Sequence, residues 1–295
     1  MALKDIIREL RRYEIKIRQA VNTQMHGDFH SVFKGSGLEF DDVRQYQYGD
    51  DVRAINWNVT AKGEGTYLNT YKEEKEQNVF FLLDVSASQE IGKTGAQKLD
   101  VAKKICGILM LSALREDSSV GFLAFSDTKE RYIRPNKGLK HGYRIIERMF
   151  YLETKSKRTD LSQALALTLS MLKRRSVVIL ISDFIDEDYE KNLRALGRRH
   201  DTVVIHIQDP REARFPALGI VPLLDKESGK TVWRNTSSSE FRRQMEQRFE
   251  GTAQGLSTLC KRNNISYLHL RTDEDYAGAL LKLFRVRAAQ SGRKR

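Results

Sequence analysis

The stretch NVFFLLDVSASQE carries five apolar residues, Val79 to Leu83, straight into Asp84, Ser86 and Ser88. Two other places set oxygen-bearing side chains beside a strand or helix signal. KRTDLSQAL puts Thr159 and Asp160 ahead of a helical pattern, and VVILISDFIDED puts Asp183 after an apolar run. In an open parallel sheet, ligands bind beyond the carboxyl ends of the strands, so polar residues that follow strand runs are the ones to examine. Alternate residues of an extended turn can point the same way. Asp84, Ser86 and Ser88 could therefore converge on one point, with Asp183 arriving from a second strand end. Together with Thr159 they form an all-oxygen set with only two carboxylates, which suits a hard dication that keeps waters or takes an outside ligand. Mg2+ is the expected ion, with Mn2+ and Ca2+ as alternatives. Taken singly, each residue has a structural reading that is the stronger one: Thr159 or Asp160 as a helix N-cap, the serines in a tight turn, Asp183 capping the next helix. As a set they do not, because independent caps have no reason to combine an acid and two hydroxyls with a threonine and a second acid at strand ends.

Placing such a set requires a sheet. From residue 79 onward, short apolar runs at 79 to 83, 119 to 125, 177 to 181, 202 to 207 and 265 to 270 have the composition of strands buried on both faces. Helical patterns lie between them at 96 to 115, 139 to 152, 161 to 173, 189 to 199 and 238 to 262, with a last one at 274 to 287. This alternation predicts βαβ crossovers, and hence an α/β fold with a mostly parallel sheet covered on both sides. RYIRP reads as a short edge strand, and GIVPLLDKESGKTVW as a hairpin with Gly229 in its turn. Upstream, Leu3, Ile6, Ile7, Leu10, Ile17 and Val21 recur at helical spacing, and the Gly-, aromatic- and charge-rich segment that follows is expected to wrap the main domain. The expected division is therefore residues 1–75 as helix and wrapping segment, 76–287 as the α/β domain, and 288–295 as a disordered basic tail.

Composition narrows the function classes. The 295 residues are 40% hydrophobic, enough for a core without staples, and the two cysteines, Cys106 and Cys260, lie in helical stretches as expected of buried thiols. The start has no signal-peptide block and no apolar run reaches membrane length, so the expected location is cytoplasmic, with peripheral attachment to membrane-bound partners as the other option. The formal charge of +12 points to acidic partners, tempered by a carboxyl-terminal stretch that has no acid after Asp275.

DVSAS resembles the D-x-S-x-S signature of the von Willebrand factor A domain, with Thr159 and Asp183 at the positions of its second and third motifs. That resemblance implies a Rossmann-like domain with a metal-ion-dependent adhesion site. Ser86, Ser88 and Thr159 would ligate through hydroxyls, Asp84 and Asp183 would act largely through water, and a partner's acidic side chain would complete the coordination. The upstream block GSGLEFDDVRQYQYGDDVRAINWNVTAKGEGTYLNTYKEEKE resembles the segment that precedes this domain in the family called domain of unknown function 58, whose members are often encoded beside MoxR-type AAA+ ATPases. Lys62 stands where an arginine is commoner in that family, and Ala87 where a glycine is commoner. Many members carry transmembrane helices ahead of the block; no apolar run of that length precedes it in this sequence, and membrane attachment is therefore not expected. Within GDDVRAINW, Asp50, Asp51 and Arg53 are expected to pin the segment by charge-assisted bonds, with Ile55 and Trp57 turned inward.

The resemblance implies a non-enzymatic, metal-dependent protein-binding module that works with a MoxR-type ATPase and an acidic-residue-bearing protein ligand. Two other classes remain in view. A Mg2+-dependent phosphoryl-transfer enzyme also uses strand-end acids, but the position two residues after Asp84 is Ser86 rather than a second acid, and GKTGAQK has the wrong order for a phosphate loop. Nucleic-acid binding would use clusters such as KRRS and RVRAAQSGRKR, which no aromatic-basic recognition motif accompanies. The run Asp186, Glu187, Asp188 is expected in the first turn of the following helix, and Asp127 in AFSDT in a turn or in the outer surroundings of the metal.

Overall fold

The computed structural model describes residues 3–25, 39–63, 65–72, 77–93, 95–214, 216–224 and 230–292. The chain forms two compact units, one of residues 1–33 with 77–295 and one of residues 34–76. The amino-terminal helix α1 (Leu3–Met25) thus belongs with the sheet, and the segment after it stands as a unit of its own, where one segment 1–75 was expected.

In the smaller unit, β1 (Glu39–Gln45) pairs antiparallel with β2 (Tyr67–Lys72), flanking a 3-10 turn and the short helix α2 (Trp57–Thr60). Asp50 makes charge-assisted bonds that pin the segment, taking two from Arg44 at 2.7 and 2.8 Å, while Asp51 caps the 3-10 turn by accepting from the Arg53 amide. Trp57 is 69% exposed, against the inward position expected. The reason is local: Asn56 Oδ1 accepts from the amides of Asn58 and Val59, which starts a helical turn at Trp57 and ends the extended alternation that would have turned its indole inward.

The larger unit is built on six strands: β3 (Asn78–Asp84), β6 (Ser119–Phe125), β7 (Lys129–Asn136), β8 (Val177–Ser182), β9 (Asp201–Gln208) and β12 (Ser266–Arg271). Two short strands, β4 (Gly92–Lys93) and β5 (Ala96–Gln97), form a turn that leads into helix α3 (Lys98–Arg115). The sheet order is β12-β9-β8-β3-β6-β7, parallel throughout except for β7. That edge strand holds Pro135, which a central strand would not tolerate, and its pairing with β6 slips twice.

Alternate residues along the central strands feed two cores. Phe81, Leu83, Phe122, Ile179 and Ile205 face one side with α1, α3, α4 (Leu139–Phe150) and α8 (Tyr276–Gly292). Phe80, Leu82, Leu123, Leu180 and Val204 face the other with α5 (Leu161–Met171), α6 (Glu190–Arg199) and α7 (Ser239–Arg262). Each such side chain contributes about 1.5–3 kcal/mol on burial, which is why these strands read as unbroken apolar runs. Cys106 and Cys260 are buried in these cores. On α1, Ile6, Leu10 and Ile17 are buried, as is Glu14 on the same stripe, its carboxylate 3.2 Å from Arg115 of α3.

β10 (Ile220–Leu224) and β11 (Thr231–Asn235) form the expected hairpin, whose turn, with Gly229, lies outside the described residues. Helix α8 runs on to Gly292, past the expected start of a tail at 288, because Arg287 is anchored in the fold: its guanidinium bonds Asp201 and Ser266. Among the described residues, no helix is long and apolar enough to cross a membrane.

Candidate functional site

Counted in chain order, the six strands of the sheet stand 3-2-1-4-5-6, so the direction of winding reverses between β3 and β8. The chain leaves β3 toward α3 on one face and leaves β8 toward α6 on the other. A crevice opens at such a switch point, beyond the carboxyl ends of the two strands. Asp84 ends β3 and Asp183 follows β8 directly, so both carboxylates stand at that crevice.

Asp84 is fully buried, and its oxygens are held from three directions. Oδ1 accepts from the Ser86 amide at 3.0 Å; Oδ2 accepts from the Ser182 hydroxyl at 2.7 Å and from Gln89 Nε2 at 3.3 Å. Burial, together with the Asp183 charge, pushes the Asp84 carboxyl up to about 7, against the pull of its hydroxyl and amide donors. The Ser86 and Ser88 hydroxyls, both on buried residues, lie 3.0 Å apart, so the D-x-S-x-S turn does bring its two hydroxyls together beside the acid.

Asp183 is also buried, and both of its oxygens are engaged. Oδ1 accepts from the Ile185 amide at 3.3 Å, and Oδ2 takes a 2.6 Å bond from the ammonium of Lys98. Lys98 is itself fully buried and makes a second ion pair with Glu212. Burial acts to lower the Lys98 pKa, but Asp183 and Glu212 outweigh it and hold the group above its ordinary value, so Nζ stays charged. The turn after Asp183 is fixed by Phe184, whose backbone is left-handed (φ 54°). That conformation costs a non-glycine residue on the order of 1 kcal/mol. It is offset by the burial of the Phe184 ring, edge-on to Tyr189 and His206, and by the bond from the Phe184 amide to Ser182 Oγ. His206 donates from Nε2 to the Asp183 carbonyl, and burial pushes this imidazole down to about 3, so it is neutral at physiological pH.

The loop that carries Thr159 is tied to the same rim through its neighbours. The Lys157 carbonyl accepts from the Ala87 amide, the Arg158 carbonyl from the Asp127 amide, and the Asp160 amide donates to the Ser126 carbonyl, which ties the 157–160 loop to the turns after β3 and β6. Glu130 of β7 clamps the start of this loop, accepting from the amides of Lys155 and Ser156 and from the Ser126 hydroxyl. Burial alone would raise this carboxyl, but the three donors hold it below its ordinary value. Asp160 has the capping role that its spacing predicts, accepting from the Gln163 amide at the head of α5. The acidic run differs from expectation: α6 begins only at Glu190, and Asp186 instead accepts from the Leu161 amide at the start of α5.

Lys98, Glu212, Ser182, Gln89 and Glu130 were not singled out from sequence. Ser182 alone carried a signal, as the polar residue closing the VVILIS run. His206 and His269 lack paired spacing, yet parallel register between β9 and β12 sets their rings 5.2 Å apart. Among the described residues, no group of three or more His, Cys, Asp or Glu side chains could hold a metal, so a cation at this crevice would depend on hydroxyl oxygens.

The expected mostly parallel central sheet with helices on both faces is the one the chain forms. Among solved structures, the chain is similar to the conserved hypothetical protein BatB from Bacteroides thetaiotaomicron, at 14% identity and a TM-score of 0.47 over 72% of this chain and 99% of that one. It is also similar to the von Willebrand factor A domain of SpRpn10, at 12% identity and a TM-score of 0.41 over 70% and 93% of the two chains. In sequence it is 28% identical over 223 residues to uncharacterized proteins of Mycobacterium tuberculosis and Mycobacterium bovis, covering 75% of this chain and 70% of each of those. The family described as "Protein of unknown function DUF58" matches residues 42–254, and the chain belongs to that family.

Proposed function

We propose that this protein is a non-enzymatic binding module whose crevice at the β3–β8 switch point takes a divalent cation, Mg2+ first among the candidates, and through it an acidic side chain of a protein partner. Ser86, Ser88 and Thr159 would hold the ion through hydroxyls, with Asp84 and Asp183 supplying negative charge. The observation that carries the reading is the Ser86–Ser88 hydroxyl pair, 3.0 Å apart and beside a fully buried Asp84. Burying a carboxylate with only neutral donors around it is costly. Asp183 and Glu212 share one ammonium, Lys98, and Asp84 stands beside Asp183, so once Asp84 is ionised the three acids leave a surplus of two negative charges (three minus one) that a dication would balance. A bound dication would supply positive charge for an incoming carboxylate. The protein's own part is to hold the two serines in one turn, to keep the Thr159 loop against them through Glu130, and to exclude water from the acid behind them.

Cooperation with a MoxR-type AAA+ ATPase in maturing or remodelling another complex is part of the same proposal and rests on the family resemblance alone. The test is calorimetric titration of the full chain with Mg2+ and Mn2+, followed by affinity capture with and without chelator. Saturable binding that Asp84→Ala or Ser86→Ala with Ser88→Ala removes, with an unchanged circular dichroism spectrum, supports the reading. Binding that ignores these substitutions, or metal-dependent phosphoester hydrolysis lost in Asp84→Ala, would replace it.

A further inference from the structure

The buried ion triad of Lys98, Asp183 and Glu212 goes beyond what the metal reading requires. A lysine ammonium taken wholly out of water loses its hydration and ordinarily gives up its proton, unless carboxylates hold it. Here it is fully buried, bonded to Asp183 Oδ2 at 2.6 Å and paired with Glu212, so it is a fixed cation inside the crevice. Its position is set by the helix start: Lys98 is the first residue of α3, its amide donates to the Ile91 carbonyl at 3.0 Å, and the preceding Gln97 amide is held by Asp100. The amino-terminal end of a helix adds partial positive charge on the same side.

Resting on the metal reading above, we infer that Lys98 is a positioning residue that keeps Asp183 from ligating the cation directly. It does so by occupying Oδ2 while the Ile185 amide occupies Oδ1. The consequence is a divided crevice. On the Asp183 side, the ammonium already occupies the carboxylate, and its positive charge opposes a dication at Oδ2. On the Asp84 side, a carboxylate held only by neutral donors stands next to two hydroxyls. A metal confined to the second side meets one nearby charge instead of two, binds more weakly than two free carboxylates would allow, and retains charge for an acidic ligand. Lys98 thus sets the balance between affinity for the ion and affinity for the ion's visitor.

The experiment is Mn2+ titration of the full chain, read by the electron paramagnetic resonance signal of free Mn2+, on the wild type, Lys98→Met with Glu212→Gln, and Glu212→Gln alone. The double substitution removes one charge of each sign and leaves the net charge of the crevice unchanged. It should bind Mn2+ at least about tenfold more tightly, as expected when a freed carboxylate joins the ligands, while Glu212→Gln alone gives no gain. Equal or weaker binding by the double variant, or a tenfold gain from Glu212→Gln alone, overturns the inference. If circular dichroism shows the double variant unfolded, Asp183→Asn and Asp84→Asn decide: the Asp183 change should cost at least about tenfold less affinity, and equal losses would overturn the inference. Mn2+ binding by the wild type with no difference in the double variant rejects the role of Lys98 alone. No binding by either protein rejects the metal reading, and this inference with it.

Discussion

Ser182 donates its hydroxyl to Asp84 Oδ2 at 2.7 Å, joining the end of β8 to the end of β3 across the point where the sheet reverses its winding. Ser182 Oγ also accepts from the Phe184 amide at 3.0 Å, so one hydroxyl satisfies an acid on one strand and an amide in the left-handed turn after the other. Removing it leaves a buried carboxylate short of a donor and a buried amide short of an acceptor. Ser182→Ala should therefore destabilise the fold by about 1–3 kcal/mol, at the upper end of single hydrogen-bond deletions. Urea unfolding would measure this, and a loss below about 0.5 kcal/mol would show that the bond is not formed in solution.

The raised pKa of Asp84 makes stability depend on pH in a definite direction. Its ordinary value is 3.8 and burial beside Asp183 moves it to about 7 in the fold. Between these values the folded protein holds a proton that the unfolded chain has released, so stability falls as pH rises from about 4 to about 7 and levels off above. In metal-free buffer, Asp84→Asn should abolish that slope and be the more stable protein at pH 8. Thermal unfolding of both proteins from pH 4 to pH 8 checks this; parallel curves would show that Asp84 ionises freely. Where a dication binds, its affinity should climb through the same interval, because Asp84 must lose its proton to receive the ion.

The contrast between Asp84 and Lys98 explains how far the sequence could be read. Asp84, Ser86 and Ser88 follow an apolar run that is buried on both faces, so strand, strand end and turn were all visible in one stretch. The helices were visible for the same reason, through their apolar periodicity. Lys98 sits in GAQKLD like any solvated lysine at a helix start, and its partners lie 85 and 114 positions away, on the far side of a crossover. Nothing local encodes that meeting. His206 and His269 are alike in this respect, since parallel register and not spacing makes them neighbours. Trp57 failed in the opposite way: its alternation with Ile55 was real in sequence, but the Asn56 cap turned the backbone before the pattern could act.

Glu130 predicts how a residue outside the crevice can govern it. It accepts from the Lys155 and Ser156 amides at 2.9 and 3.0 Å, and so orders the loop that presents Thr159. Its pKa is depressed in the fold, so its stabilisation is present above the ordinary carboxylate range and is lost as pH falls through the folded value. Glu130→Ala should free the 155–159 amides to exchange with solvent at least about tenfold faster, a loss of local protection of about 1.4 kcal/mol. Hydrogen exchange read by mass spectrometry would show it. Unchanged protection there would mean that the loop is held by its bonds to the β3 and β6 turns alone.

Arg287 shows that part of the basic carboxyl-terminal stretch is structure. Its guanidinium bonds Asp201 twice, at 2.6 and 3.1 Å, and Ser266 once, at 3.0 Å, locking α8 to the amino ends of β9 and β12. A planar fork is needed to reach both carboxylate oxygens and the hydroxyl, which a lysine ammonium cannot reproduce. Arg287→Ala should cost about 1–3 kcal/mol in urea unfolding, moderated because Asp201 stays partly hydrated, and Arg287→Lys should recover less than half of that. Full recovery by lysine would mean that charge alone holds the helix. Neither substitution should alter cation binding at the crevice, because the contact lies at the opposite end of the strands from Asp84 and Asp183. A change there would show that docking of α8 is transmitted along β9 to the turn after β8.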